Sequence, residues 1–219
     1  MITFENIKRD PDIRVYVKEA DASLAALGYT EHSFAHVTKV AETSGYILSS
    51  LGYDERTVEL AKIAGFLHDI GNLVNRVDHS QSGAIIAFRI LDKLGMEPSE
   101  IATVVTAIGN HDEGTGVPVN AVAAALIIAD KSDVRRSRVR ESKIEAGDIH
   151  DHVNYSVTSS TLSIDTESAV ITLDLTIDTA FSSVMDYFEI FLGRMILCRK
   201  AADRLGLRFK LIINGQQLL

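Results

Sequence analysis

Hydrophobic positions in the first two thirds of the chain recur at the three- and four-residue spacing of amphipathic helices. Polar residues able to cap a helix precede several of these segments, and Gly28, Gly52 and Gly95 follow three of them. The pattern predicts helices over residues 11–27, 31–51, 55–68, 80–94, 98–111 and 119–129. Residues 1–150 are therefore predicted to form a helical domain with short loops.

A different pattern begins after residue 152, where apolar and polar residues alternate and β-branched side chains are common. This alternation is typical of half-buried strands. The predicted elements are strands over 153–164, 171–177 and 209–213 and a helix over 179–205. The fold class is thus predicted to be mainly α, with a small C-terminal α+β unit over residues 151–219 in the order strand–strand–helix–strand. We expect this unit to pack on the helical domain or to serve in dimerisation, and we expect a charged, exposed linker near 141–152.

Length, charge and composition limit the classes of protein to which this chain can belong. A length of 219 residues allows one large domain, or one domain with a small appendage. The formal charge of −8 argues against general nucleic-acid binding. The single Cys198 excludes an intrachain disulfide and a cysteine-rich zinc site. The chain shows neither a signal-peptide pattern nor an apolar run of the ~18–20 residues that span a bilayer. We therefore expect a cytoplasmic protein that does not bind membranes, and a homodimer is one arrangement that its strand edges allow.

The candidate chemistry lies in the helical part, where five of the seven histidines fall at or near inferred helix ends. A single histidine is more often a surface or core residue than a ligand. Converging helix ends, however, can build a metal centre from residues far apart in sequence. The candidates are His32, His36, His68, His79 and His111, with Asp69 and Asp130. Imidazole and carboxylate without thiolate suit one or two ions of iron, manganese, cobalt or zinc, with nickel and magnesium as further candidates.

The ordered series His36, His68-Asp69, His79, His111 and Asp130 resembles the HD-domain superfamily of metal-dependent phosphohydrolases. The resemblance covers roughly residues 30–140 and implies an HD-type helical bundle there. It implies that the first metal is bound by His36, His68, Asp69 and Asp130. It further implies that His79 and His111 bind a second metal, with Asp69 as the bridging ligand. Asp69 and His111 are the expected catalytic residues, and His111 has the alternative role of general acid on the leaving oxygen.

One departure from the family concerns the residue after the His-Asp-Ile-Gly run. Many relatives have a lysine there, whereas this chain has Asn72. The charge that faces phosphate must then come from elsewhere, and Arg76, Lys131 and Arg135 are the candidates. Asn72 and His32 complete the set of expected substrate-binding residues.

The resemblance leaves three functions open. The first is a phosphohydrolase that cleaves a nucleotide or a related small phosphate ester with a metal-activated hydroxide. The second is a di-iron oxygenase, because some superfamily members with six ligands oxidise carbon instead. The third is a non-catalytic module that binds a metal or a nucleotide for regulation.

Overall fold

The computed structural model describes the backbone of residues 1–140 and 149–219 and the side chains of 1–140 and 151–219. The helical part contains seven α-helices and two 3₁₀ turns within the described ranges. The helices are α1 (Phe4–Arg9), α2 (Pro11–Leu27), α3 (Phe34–Ser50), α4 (Glu55–Leu67), α5 (His79–Lys93), α6 (Pro98–Gly109) and α7 (Ala121–Ser132). The 3₁₀ turns are Ile70–Leu73 and Arg136–Arg138. The prediction of a helical array is confirmed, although the short helix α1 was missed.

The start of α3 differs from the predicted one and positions a candidate ligand. The predicted helix began at Glu31, but α3 begins at Phe34 because the Ser33 hydroxyl accepts a hydrogen bond from the Ala35 amide at 3.1 Å. The Glu31 amide instead donates to the Arg138 carbonyl at 2.8 Å. The later start places His36 in the first turn of α3, at the end of the helix that faces the other candidate ligands.

The C-terminal part is a helix followed by a four-stranded sheet that carries one long helix. Its elements are α8 (Ile149–Ser156), β1 (Val157–Asp165), β2 (Val170–Ile177), α9 (Val184–Arg204), β3 (Arg208–Ile213) and β4 (Gln216–Gln217). The strand order is β1-β2-β3-β4, with β2 and β3 parallel and the other two pairs antiparallel. The predicted strand–strand–helix–strand order is therefore confirmed, with β4 as a short additional strand.

Two predicted boundaries in this part were wrong. Residues 153–156 form the end of α8 rather than a strand, since so short an apolar run fits both periodicities and α8 buries Val153 and Asn154. Helix α9 begins at Val184 rather than Thr179, because Ser183 and Asp186 form a capping box. The expected linker near 141–152 falls mostly on residues outside the described ranges, while His152 is exposed at the end of that segment.

One hydrophobic core joins the two parts of the chain. Residues Val122–Ala129 of α7 are all buried, and α7 packs against α3, α4 and α6 and also against α9 of the C-terminal part. A Cβ at Gly65 would lie 2.7 Å from Ala41 Cα, so this glycine lets α3 and α4 cross closely. The division into domains at residue 150 stays a prediction.

No helix within the described ranges is long and apolar enough to cross a bilayer. The cytoplasmic location stays a prediction.

Candidate metal centre and its cavity

Six of the predicted ligands converge from five helices into one cluster, which we call the ligand cluster. His36 lies in the first turn of α3, His68 and Asp69 follow α4, His79 begins α5, His111 follows α6, and Asp130 lies in the last turn of α7. All four histidines and Asp69 are buried, and Asp130 is half-buried. The sequence therefore identified residues that the fold brings together.

The first half of the cluster, His36, His68 and Asp130, is the inner group. The Asp130 Oδ1 lies 3.4 Å from His36 Nε2 and 3.6 Å from His68 Nε2. The Asp69 Oδ2 lies 3.6 Å from His36 Nε2 and 3.2 Å from His68 Nε2. Ligand atoms of His36, His68 and Asp130 lie within 4.8 Å of one another and could hold one ion, as do ligand atoms of His68, Asp69 and His111.

The second half, His79 and His111, is the outer group, and both side chains line a cavity. Their Nε2 atoms lie 3.2 Å apart, and His79 Nε2 lies 3.5 Å from Asp69 Oδ1. The two carboxylate oxygens of Asp69 thus face different groups, Oδ2 the inner and Oδ1 the outer. This is the arrangement that a bridging ligand requires.

The histidine tautomers follow from what the other ring nitrogen contacts. Each Nδ1 lies 2.6–3.1 Å from an oxygen that can only accept, so each Nδ1 carries the proton and donates it. His32, His68, His79 and His111 donate to the backbone carbonyls of Thr30, Gly65, Arg76 and Ile108, in that order. His36 donates to the carboxylate of Asp133. In the neutral rings, Nε2 then offers its lone pair to the cluster.

A cation fits this donor set. The Nε2 atoms of His79 and His111 lie 3.2 Å apart, and Arg76 Nη1 lies 3.4 Å from His79 Nε2, so the lone pairs of these rings face a positive group. The Nε2 atoms of His36 and His68 are buried and face carboxylate oxygens, so in the neutral rings they have no hydrogen-bond donor among the described residues. Buried polar atoms without partners are costly, and a bound divalent ion would satisfy them.

The electrostatics of the two groups differ. Burial lowers the pKa of His68, but the carboxylates of Asp69 and Asp130 outweigh burial and raise that pKa to about 10. Burial, with the positive charges of His68 and Lys131, lowers the pKa of His111 to about 3. A histidine that is neutral at physiological pH serves better as a ligand than as a general acid.

The carboxylates stay ionised despite their burial. Burial alone would raise the pKa of both carboxyls. Nearby positive charges, chiefly His68 for Asp69 and Lys131 for Asp130, instead hold both pKa values well below the ordinary range. The Lys131 Nζ lies 2.6 Å from Asp130 Oδ2. The ligand cluster therefore offers two permanent negative charges to an ion.

Two further residues hold the ligands in place. The Asn72 amide donates to the Asp69 carbonyl and to its Oδ1, both at 2.9 Å. Asn72 is only 2% exposed and does not line the cavity. Its position therefore favours a role in holding Asp69 rather than the predicted contact with substrate. Asp133 accepts from His36 Nδ1 at 2.8 Å and contacts Lys39 Nζ at 2.8 Å.

The other predicted substrate-binding residues divide by position. His32, Arg76 and Lys131 line the cavity, and His32 Nε2 lies 3.9 Å from Asp69 Oδ2. Arg135 does not line it, because its guanidinium is directed to Asp133 Oδ1 at 2.9 Å and to the Ser137 hydroxyl at 2.5 Å. The position of Arg135 thus favours support of Asp133 over contact with substrate.

The cavity has a volume of about 170 Å³ and contains side chains that the sequence did not single out as site residues. Four basic residues, Arg76, Lys131, Arg138 and Arg194, line it and are called the cationic lining. Arg194 and the neighbouring Phe191 come from α9, so the C-terminal unit contributes to the site. No local motif marks either residue, and only the packing of α9 on α7 brings them there.

Comparison with known proteins gives a family and partial relatives. The sequence model of the HD domain matches residues 33–151. Ribonuclease Y of Latilactobacillus sakei is 34% identical over 119 residues, which are 53% of this chain and 21% of that protein. Ribonuclease Y of Sulfurimonas denitrificans is 30% identical over 142 residues, which are 63% of this chain and 26% of that protein. The matched segment thus spans about a fifth to a quarter of these relatives.

A solved structure also resembles this chain. A predicted HD superfamily hydrolase from an uncultured Thermotogales bacterium has 28% identity and a TM-score of 0.45, covering 62% of this chain and 75% of that one.

Proposed function

The chain belongs to the HD-domain family, and on that premise we propose that it is a metal-dependent phosphohydrolase acting on a small phosphate ester, such as a nucleotide or a related phosphorylated metabolite. The observation that carries the proposal is the set of buried histidines whose Nδ1 protons are all engaged and whose Nε2 atoms all face Asp69 or Asp130 or each other. This cluster opens on a cavity with a cationic lining. A metal-ligand set beside basic side chains suits a phosphate group.

The residues of the ligand cluster would hold one or two divalent ions. His36, His68 and Asp130 would bind an inner ion, His79 and His111 an outer ion, and Asp69 would bridge. Bound ions of this kind lower the pKa of water and neutralise charge that develops on a phosphoryl group. The donor set accepts iron, manganese, cobalt, zinc or nickel, with magnesium less well suited to imidazole.

The chain's own residues bind and orient the ester. Asn72 and Asp133 fix the side chains of Asp69 and His36 through the hydrogen bonds described above. Basic side chains on the cavity wall would pair with the phosphate oxygens, since guanidinium and ammonium groups form strong charge-assisted hydrogen bonds with them. The Arg76 Nη1 already lies 3.9 Å from Asp69 Oδ1, which places this cation next to the bridging carboxylate.

A small ester is favoured over a polymer by charge and volume. The chain has a net charge of −8, and the cavity of about 170 Å³ is small beside the ~300–1,000 Å³ that enclose typical small-molecule ligands. The ribonuclease relatives share only one segment with this chain, so RNA is a substrate to be tested against the small esters.

The runner-up is a di-iron oxygenase, because four histidines and two aspartates form a ligand set large enough for two irons. Dioxygen uptake with an iron-loaded protein would support this activity. The cationic lining favours the hydrolase, because an anionic phosphate uses it directly.

The test is a panel of phosphate esters, RNA and added divalent metals with the wild-type protein and three variants. We expect turnover of a phosphate ester by the wild type and its loss in His68→Ala and Asp69→Ala. His152→Ala is the matched control, since His152 is exposed and lies outside the ligand cluster. Turnover that survives Asp69→Ala, or a wild type that hydrolyses no ester with any metal, would contradict the proposal.

A further inference from the structure

Helix α9 extends a basic side chain into the cavity from the C-terminal unit. The Arg194 Nε contacts Glu113 Oε1, and its guanidinium lies 4.3 Å from the centre of the Phe191 ring. The Arg194 side chain is 25% exposed and lines the cavity together with Phe191. Packing on an aromatic ring and pairing with a carboxylate restrict the guanidinium, which lowers the entropy lost when it binds an anion.

Glu113 connects this arginine to the ligand cluster. Its Oε2 lies 3.4 Å from Lys131 Nζ, and Lys131 in turn contacts Asp130. One carboxylate therefore contacts two cations that line the cavity, Lys131 and Arg194. Lys131 also pairs with Asp130, and an ion bound at Asp130 would offset the negative charge of that carboxylate.

The size of the cavity limits what these cations can receive. A space of about 170 Å³ is enough for the phosphate end of an ester and is smaller than the ~300–1,000 Å³ of typical small-molecule sites. Tyr29 lines the cavity and is 44% exposed, so the remainder of an ester would extend past this ring toward solvent. An internal phosphodiester needs room for a substituent on both sides of phosphorus, whereas a terminal phosphate needs that room on one side only.

We propose that Arg194, held beside Lys131 by Glu113, binds the terminal phosphate of a phosphomonoester and makes the C-terminal unit part of the substrate site. This inference rests on the proposed function and deepens it by naming the substrate class and the residue that selects it. A dianionic terminal phosphate matches two adjacent cations better than a monoanionic diester does. Arg194 is a specificity-determining residue that the family-matched segment, residues 33–151, does not contain.

The direct test is calorimetric titration of inorganic phosphate into the metal-loaded protein. We expect Arg194→Ala to weaken phosphate binding by roughly tenfold or more, the effect of losing a charged hydrogen-bond donor. Arg199→Ala is the matched control because Arg199 is exposed on the same helix, and it should bind phosphate as the wild type does. If Arg194→Ala fails to fold, Arg194→Gln keeps most of the side chain without its charge and should show the same weakening. Metal content measured on each variant should equal that of the wild type.

A second measurement compares p-nitrophenyl phosphate with bis(p-nitrophenyl) phosphate. We expect the wild type to prefer the monoester and Arg194→Ala to raise its KM more than it lowers kcat. Unchanged phosphate affinity in the folded Arg194 variants, or no phosphate binding by the wild type, would overturn the inference. Faster cleavage of the diester would overturn the substrate class while leaving the hydrolase proposal intact. Phosphate binding that depends on Arg194 in a protein that cleaves no ester would instead refute the hydrolase proposal alone.

Discussion

The inner and outer groups of the ligand cluster share Asp69 but have different surroundings. His36 and His68 lie away from the cavity and face two ionised carboxylates, Asp69 and Asp130. His79 and His111 line the cavity, where burial lowers the pKa of both and the positive charge of Lys131 lowers both further. Because of this difference, the carboxylates would hold an ion of the inner group firmly. An ion of the outer group would be held more weakly and would contact the substrate.

The largest effect is expected from Asp69→Ala. Asp69 is the only carboxylate among the described residues that contacts both groups, so its removal should abolish metal retention and hydrolysis together. Metal analysis by mass spectrometry, alongside an ester assay, measures both. A variant that keeps its metal content would show that Asp69 is not a shared ligand.

The next effect separates the two groups. His36→Ala should lose the firmly held ion, whereas His111→Ala should keep that ion and lose only the weaker one. Metal analysis after gel filtration in metal-free buffer distinguishes the two variants. Equal losses would contradict the difference between the inner and outer groups, and a greater loss in His111→Ala would reverse it.

A smaller effect is expected when only the support of the inner group changes. Asp133→Asn keeps the size of the side chain but weakens the acceptor for the His36 Nδ1 proton, and such changes typically lower metal affinity by about 10- to 100-fold. Titration with a competing chelator measures this affinity. Glu42→Gln, an exposed position on the same helix as His36, should leave the affinity unchanged.

The last effect, at most tenfold per pH unit for one released proton, is a pH dependence of metal binding. The carboxylates raise the pKa of His68 to about 10, so the metal-free protein holds a proton there at pH 7. An ion requires the neutral ring, so binding should release this proton, and apparent affinity should rise with pH until the His68 pKa is passed. Calorimetry in buffers of different ionisation enthalpy measures the released proton. Binding enthalpies that do not vary with the buffer would show that His68 is not protonated in the metal-free protein.

The sequence was most informative where local chemistry and position coincide. The helices around His36, His68 and Asp130 were predicted because apolar spacing and cap residues mark them, and the ordered histidines and aspartates indicated one shared centre. Local rules also explain the errors. Helix α3 begins after Ser33 rather than at Glu31, because the Ser33 hydroxyl caps the helix there. Residues 153–156 fit both the helical and the strand periodicity.

Other features depend on tertiary packing, which spacing cannot reveal. Glu113 and Arg194 are 81 positions apart in sequence (194 minus 113), and they meet only because α9 packs on α7. Asn72 was expected to contact substrate, but the fold buries it against Asp69. Whether a polar residue faces a ligand or supports one is decided by neighbours from other helices.

Anomalous diffraction from crystals grown with Mn²⁺ tests most directly whether the ligand cluster is a metal centre. We expect an anomalous peak among His36 Nε2, His68 Nε2 and the carboxylates of Asp69 and Asp130, with a weaker second peak beside His79 and His111. Ordered side chains with no peak among them, or a peak at other residues only, would contradict it.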